Sequence, residues 1–476
     1  MARKMPSFSP AQLASWTGGR WTAQPVSSLL AFAIDSRQLR RGDVFVAIKS
    51  EQRDGHAFLG AAEAAGASAA LVSTPDPALA LPQLVVADPL RAFQAIAREH
   101  RRLFRGPVVG ISGSAGKTST KNLLALLLET AAASSDAHAG QVLATEGNLN
   151  NHLGVPLTLT LLDPAVHRFA VVEAGISAPG EMAPLAEMIQ PDVALITLVA
   201  AAHTEELGGL AGVAKEKAVL PAAVPPTGIA IFPKHCTEFA AFRELDVQQM
   251  VVERADVIRP AQPPRDKVFF TVSHRDEHTV VALAYGPPPP LTFTLRRVSD
   301  GMAQNAALAI CAALWLGVPA ESIQQRLAQW QPAKLRGELR RENGRWLYLD
   351  CYNANPASMT DALEAFYGMA PTAEPRLFVL GGMEELGREA AGYHHELGRA
   401  LRLRAGDQAV VIGEHAPAVR AGALAAGTAP DQVRVAESLE PIAVQVAAWR
   451  GAVFVKGSRR YALEKVLATK PEETQR

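Results

Sequence analysis

Residues 107–127, PVVGISGSAGKTSTKNLLALL, constrain this chain more than any other stretch. An apolar run opening on Val108 and Val109 meets the glycines between Gly110 and Gly116, and a helical pattern starts at Lys117-Thr118. Strand, glycine-rich turn and helix in that order are what a phosphate-binding loop requires. Glycines let the backbone fold tightly enough to aim several N–H groups at one point, and the helix amino end adds partial positive charge. In such a loop the lysine reaches the outer phosphates and the Thr hydroxyl ligates Mg²⁺. The commonest spacing would need Gly at position 111, where this chain has Ile111; here it is Gly113-x-x-Gly116-Lys117-Thr118, a shorter loop. An ordinary glycine-rich turn is the alternative, but it leaves Lys117 and Thr118 directly after Gly116 without a reason. The candidate phosphate loop is therefore Gly113, Ser114, Ala115, Gly116, Lys117, Thr118 and Ser119, with a triphosphate-like ligand expected.

A chain of 476 residues exceeds one ordinary core and predicts about three domains. Lys+Arg and Asp+Glu both count 47, and no basic stripe stands out, so the electrostatic footprint of a nucleic-acid binder is missing. Cys236, Cys311 and Cys351 are far apart in sequence and read as reduced thiols rather than a metal cluster. The opening MARKMPSFSP has no apolar core of a signal peptide, and no run of about 18 apolar residues occurs. The expectation is a cytoplasmic protein without membrane insertion.

The polar residues fall at predicted strand ends, where loops place ligand contacts. In the first hundred residues these are Asp35-Ser36-Arg37 and Asp54-Gly55-His56, which suit a phosphate or a uracil edge. Taken alone, solvated turn residues are the simpler reading of both. An amphipathic helix over 89–107 and a Gly-Pro break put a domain boundary near residue 105. In TEGNLNNHLGVPLT (145–158), Asn148, Asn150 and Asn151 offer donors and acceptors to a polar substrate, or make a plain turn. The strand in RFAVVEAG ends on Glu173, a carboxylate well placed for Mg²⁺, with a plain surface Glu as the alternative. VALITLV runs on to His203, and the following helix carries Lys215 and Lys217. A Pro-rich region of β-type runs covers 221–297, and a hydrophobic helix over 301–318 bears Asn305. Beyond Arg336 a hairpin is predicted over 338–350 with Asn343-Gly344 as its turn, ending on Asp350. Alternating βα segments follow, with Lys456 and Arg459 at the last strand end. The predicted fold is α/β in three domains: 1–105, 106–328 with a parallel sheet of the P-loop ATPase type, and a Rossmann-like 329–476.

With these pieces in order, the chain resembles the Mur ligase family along essentially its whole length. The resemblance is carried by Gly113 to Thr118, by TEGNLNNHLGVPLT from Thr145 to Thr158, by Glu173-Ala174-Gly175 and by Ala202-His203-Thr204-Glu205. It continues in YNANPASM from Tyr352 to Met359, KGSR from Lys456 to Arg459, and the N-terminal Asp35–Arg37, Phe45–Glu51 and Asp54–Phe58 elements. YNANP where a DNPR-type loop would otherwise stand is similar to the subtype that adds a dipeptide, D-Ala-D-Ala, to UDP-MurNAc-tripeptide. The resemblance implies ATP and Mg²⁺ as cofactors and an acyl-phosphate mechanism; the sequence is silent on oligomeric state, and a monomer is assumed. It also implies Lys117 on the transferring phosphoryl group, Thr118, Glu173, His203 and a carbamylated Lys217 at the metals, and Asn305, Arg336 and Asp350 on the nucleotide. Ser36, Arg37, Asp54, Gly55 and His56 would hold the UDP end. Tyr352, Asn353 and Asn355 would face D-Ala-D-Ala, while Asn148, Asn150, Asn151, Lys456 and Arg459 would complete the substrate site.

Four positions depart from the family: Leu198 for an Asn, Gly301 where a His would stand, Gly382 for the Asp of an LGDM loop, and Ser50 for a Gly. Two other readings stand beside this one. The first is another amide-forming ligase of the family, tripeptide-forming or folylpolyglutamate-type; the second is a catalytically weakened nucleotide-binding paralogue.

Overall fold

The computed structural model describes residues 6–129, 141–258, 264, 266–342 and 344–467. Among the described residues three sheets follow one another along the chain. The middle one has nine strands and carries the phosphate loop. From one edge its order is Leu291–Arg296, His278–Ala284, Lys267–Arg275, Gln249–Arg254, Ile229–Pro233, Val193–Ile196, Val108–Ser112, Phe169–Glu173 and Val142–Ala144. Neighbours run parallel from Val142–Ala144 across to Lys267–Arg275, and the last two strands turn back antiparallel. The Pro-rich region 221–297 therefore extends this sheet as a hairpin-connected edge.

Val108–Ser112 is buried at every position, as a strand covered by helices on both faces must be. On one face Leu123, Leu124 and Leu127 of the helix Lys117–Leu128 pack with the alanines of Asp300–Trp315. That second helix is buried almost all round, which explains why its sequence shows no polar stripe. On the other face Leu185, Ile189, Val213 and Leu220 form the core. The phosphate-loop strand lies between Phe169–Glu173 and Val193–Ile196, with Ile111 in register with Glu173 and Ser112 with Ile196. The chain leaves this strand toward Val142–Ala144 on one side and later crosses back past it from Phe169–Glu173 to Val193–Ile196 on the other, so a crevice opens at its carboxyl end, the usual ligand position in such sheets. The strand predicted through Val199 stops at Ile196 because the chain bends over the loop, where Leu198 O accepts from Ser114 N at 2.8 Å.

The C-terminal sheet has six strands, in the order Glu338–Glu342, Arg345–Asp350, Ala452–Lys456, Arg376–Gly381, Gln408–Ile412 and Val433–Ala436. Its first pair is the predicted antiparallel hairpin and the rest is parallel. Gly344 has the left-handed φ of +78° that the turn demands, while its predicted partner Asn343 lies outside the described residues.

The N-terminal sheet has five short strands, ordered Arg20–Trp21, Gln83–Val85, Ala69–Val72, Val44–Val46 and Phe32–Ala33. The helix Pro89–Leu103 packs on it and joins it to the middle sheet. Buried Arg101 donates to Ile189 O at 2.9 Å and Gln190 O at 2.8 Å and pairs with Asp192 at 3.0 Å. Asp192 also accepts from Val108 N at 2.8 Å, so this stitch ends on the phosphate-loop strand itself.

Candidate active site

A cavity of about 440 Å³ lies between the carboxyl ends of the middle and C-terminal sheets. The phosphate loop forms its floor. Gly116, at φ +81°, starts the helix Lys117–Leu128, and a Cβ there would sit 2.3 Å from Asn305 Nδ2. Gly113 is equally confined, since a Cβ would fall 1.9 Å from Thr197 Oγ1. Both glycines are required by close approach as well as by backbone angle.

Lys117 Nζ donates to Gly113 O at 2.7 Å. Burial pushes its pKa down, Glu173 opposes the shift, and the Arg336 charge adds to it. Glu173 Oε1 accepts from Thr118 Oγ1 at 3.2 Å and from Asn150 Nδ2 at 2.8 Å, while its Oε2 is buried without a hydrogen-bond partner. A hydroxyl and a carboxylate with an unused oxygen, beside a loop built for phosphate, are hard donors that fit Mg²⁺. Among the described residues no cluster of three or more His, Cys, Asp or Glu could hold a metal. A Mg²⁺ ion here would therefore take Thr118 and Glu173, with phosphate oxygens and water completing its shell.

The roof comes from the C-terminal domain. Asp350, at the end of its strand, accepts from Gly337 N at 3.1 Å and from Lys456 Nζ at 2.5 Å. Lys456 also donates to Asn353 O at 3.3 Å. It lines the cavity but spends its charge on Asp350. The Arg336 guanidinium lies 3.9 Å above the Tyr352 ring. Asn355 starts the helix Pro356–Met369 and reaches down to Ser114 O at 3.1 Å. Floor and roof are thus in direct contact. Ser114 to Ser119, Asn148, Asn150, Glu173, Asn305, Arg336, Asp350, Tyr352, Asn353, Asn355 and Lys456 all line this one cavity.

Other expected residues lie apart from its lining. Lys217 is fully buried, and its pKa is pushed well below the ordinary lysine value by burial, with the Lys117 charge adding. Lys215, two residues away, is exposed. His203, at φ +55°, sets Nδ1 against the carboxylate of Glu385, itself at φ +62° on the C-terminal domain. Asn151 serves a helix: its Oδ1 accepts from Leu153 N at 3.1 Å and Gly154 N at 3.0 Å. Arg459 is exposed and pairs with Glu464 at 2.6 Å.

The N-terminal motifs are satisfied among themselves. Asp35 receives Arg37 Nε at 2.9 Å and Nη2 at 2.7 Å, which holds its pKa down to about 2. His56 Nε2 accepts from Ser73 N at 2.9 Å, so its Nδ1 carries the proton and donates to Asp54 at 2.6 Å. Gly55 packs against backbone, with a Cβ 2.7 Å from Ile48 N. Ser36 sits half-buried at the start of the Asp35-capped turn.

Sequence reasoning missed Lys121 and Asp361, and gave Thr145 only as the first residue of a motif, with no role at the site. Buried Lys121 donates to Thr145 O, and Thr145 Oγ1 accepts from Glu173 N at 2.9 Å, which fixes the carboxylate strand against the phosphate-loop helix. Its signal was present, since Lys121 lies one helical turn from Lys117. Asp361 had none; only the meeting of two domains brings it to the cavity.

Fold and site together define a three-domain α/β enzyme fold in which a glycine-rich strand–helix loop faces a second domain across one cavity. Three family descriptions match in succession: Mur ligase family, catalytic domain over residues 31–101, Mur ligase middle domain over 111–313, and Mur ligase, glutamate ligase domain over 335–459. The chain is 32% identical over 443 residues to the UDP-N-acetylmuramoyl-tripeptide–D-alanyl-D-alanine ligase of Escherichia coli K12, covering 92% of this chain and 93% of that one. Among solved structures it is similar to MurF from Acinetobacter baumannii, with TM-score 0.84, 29% identity and 98% and 99% of the two chains covered. The MurF ligase of Thermotoga maritima in complex with ADP aligns with TM-score 0.76 and 25% identity over 92% and 96% of the two chains. The chain belongs to the Mur ligase family.

Proposed function

We propose that this protein joins D-alanyl-D-alanine to UDP-N-acetylmuramoyl-tripeptide at the expense of ATP, forming ADP, phosphate and the pentapeptide precursor of peptidoglycan. The observation that carries the reading is the contact of the Tyr352–Asn355 loop with the phosphate loop, through Asn355 and Ser114, across one cavity. A phosphoryl donor and an incoming amine would meet there. The E. coli relative, named for this reaction, supports the same choice.

The terminal carboxylate of the tripeptide attacks the γ-phosphorus of ATP, ADP leaves, and an acyl phosphate forms. The free amine of D-alanyl-D-alanine then attacks that carbonyl, phosphate departs, and the nitrogen loses a proton. A carboxylate is a poor acyl donor, so phosphorylation supplies the leaving group, and the protein contributes positioning and charge. Lys117 would exchange Gly113 O for the transferring phosphoryl oxygens, and Arg336 would bring a second positive charge to the same place. Bound Mg²⁺ would neutralise phosphate charge, with Thr118 and Glu173 as its protein ligands and His203 toward a second ion. Asn305 and Asp350 would take base and ribose, and Tyr352, Asn353 and Asn355 the dipeptide. Lys217, whose pKa burial pushes well below the ordinary lysine value, would add CO₂ with loss of a proton, giving a carbamate that could serve as an oxygen ligand. The Asp35–Arg37 and Asp54–His56 loops, Asn148, Asn150 and Asn151 would hold the UDP-sugar end and the peptide. We place the domain boundaries near residues 105 and 328, and the protein in the cytoplasm as a monomer. Among the described residues no helix is long and apolar enough to cross a membrane.

The test is phosphate release from Mg²⁺-ATP with each substrate alone and with both. Release that needs both and disappears in Lys117→Ala is the expected result. Release with a single amino acid but not the dipeptide would move the enzyme to another step. ATP binding without release under any condition would leave a non-catalytic nucleotide-binding protein.

A further inference from the structure

The helix Pro356–Met369 meets the middle domain at two separate points. Its cap Asn355 touches the phosphate loop at Ser114. Further along, Asp361 Oδ1 accepts from the Gly301 backbone N–H at 2.7 Å, and the same carboxylate hydrogen-bonds the Ser299 side chain. Ser299 and Gly301 form the amino end of Asp300–Trp315, where the first N–H groups have no acceptor within the helix. Ser299 Oγ satisfies Met302 N at 3.1 Å, and the Gly301 N–H is satisfied by a residue of another domain.

Space agrees with the hydrogen bonding. A Cβ on Gly301 would lie 2.6 Å from Asp361 Oδ2, so the carboxylate occupies the volume a side chain at 301 would fill. This is the position where the family motif carries a His, and the missing side chain becomes intelligible as room for Asp361. One turn along the same helix, Asn305 presses on Gly116 of the phosphate loop. A shift of the helix amino end is therefore transmitted to the residues that cradle phosphate.

We propose that Asp361 is a positioning residue for the nucleoside triphosphate. It caps Asp300–Trp315 from the C-terminal domain, so that Asn305 and the phosphate loop take their binding geometry when that domain is in place, and Gly301 is the matched gap that admits it. The inference rests on the reading of this cavity as the ATP site.

The experiment measures binding of a non-hydrolysable ATP analogue with Mg²⁺ to the full chain by calorimetry, alongside KM for ATP and for the dipeptide. Losing a charge-assisted hydrogen bond predicts that Asp361→Ala weakens analogue binding by about tenfold and raises KM for ATP to match. The dipeptide KM should move less than about twofold, because the contact is on the nucleotide side. Asp361→Asn keeps an acceptor oxygen and should recover most of the loss. Gly301→Ala should weaken binding in the native background and add little in the Asp361→Ala background, because the clash is gone. Unchanged affinity in Asp361→Ala, or effects of the two substitutions that simply multiply, would overturn the proposal. If Asp361→Ala does not fold, Gly301→Ala alone decides, and native affinity in it overturns the proposal. A wild-type protein that binds no analogue would instead sink the function proposed above, and this inference with it; binding by wild type with unaffected variants sinks only this inference.

Discussion

The N-terminal sheet and the cleft between the other two domains both carry polar motifs at strand ends, yet their side chains are in opposite states. In the N-terminal sheet Asp35 is occupied by Arg37, and Asp54 by His56, which in turn holds the turn at Ser73. In the cleft, Glu173 keeps a buried oxygen without a partner and desolvation pushes the Lys117 pKa down; outside the cavity lining, burial pushes that of Lys217 well below the ordinary lysine value. A buried polar group short of partners costs free energy that a ligand can return. Groups already satisfied by their neighbours shape a loop and hold it. The comparison thus separates residues expected to meet phosphate and metal from residues expected to set the surface on which the sugar nucleotide rests.

The largest effect should come from Lys117→Ala. Removing one preorganised charge from the phosphoryl site predicts a fall in kcat of about a thousandfold with the fold intact, read by phosphate release and thermal melting. A fall below about tenfold would break the comparison at its strongest point. Next is Glu173→Gln, which keeps shape and the Thr118 contact but weakens the metal; about a hundredfold loss with a raised Mg²⁺ requirement is expected. Lys217→Ala should lie in the same range while exposed Lys215→Ala stays near wild type, and ¹³C-bicarbonate labelling should give a carbamate signal that Lys217→Ala lacks. On the N-terminal side the sign of the result changes. His56→Ala should cost stability, about 1–2 kcal/mol from two lost hydrogen bonds, and raise KM for the UDP-substrate more than it lowers kcat. Equal damage to kcat would place His56 with the catalytic groups and undo the distinction. The smallest effect belongs to Arg37→Ala, whose own guanidinium is exposed. Because the folded pKa of Asp35, about 2, lies below its ordinary 3.8, the pair contributes above the higher value and is lost as pH falls through the lower. The melting temperatures of wild type and Arg37→Ala should therefore differ by the same small amount at pH 7 and pH 5.

Much of this was legible locally. The Lys117 helix, the strand ending on Glu173, the hairpin before Asp350 and the alternating βα segments each announce themselves by turn glycines and apolar periods, which act over a few residues. The all-round apolar helix Asp300–Trp315 could be read as buried from its alanines alone. Other features depend on partners far away in sequence. Asn151 reads like its neighbour Asn150, but one holds the turn ahead of a helix and the other holds Glu173; only the path of the backbone assigns them. Lys456 reads as a free cation until Asp350 is found beside it. Lys215 and Lys217 differ by two positions, and helix rotation alone buries one and exposes the other. The departure at Gly301 looks like a loss in one dimension and like room for Asp361 in three. Sequence by itself determined the elements, their order and the phosphate loop, because hydrophobic period and glycine placement are local properties. Tertiary structure decided which charges are spent and which are left open, because desolvation and pairing are set by neighbours that only the folded chain brings together.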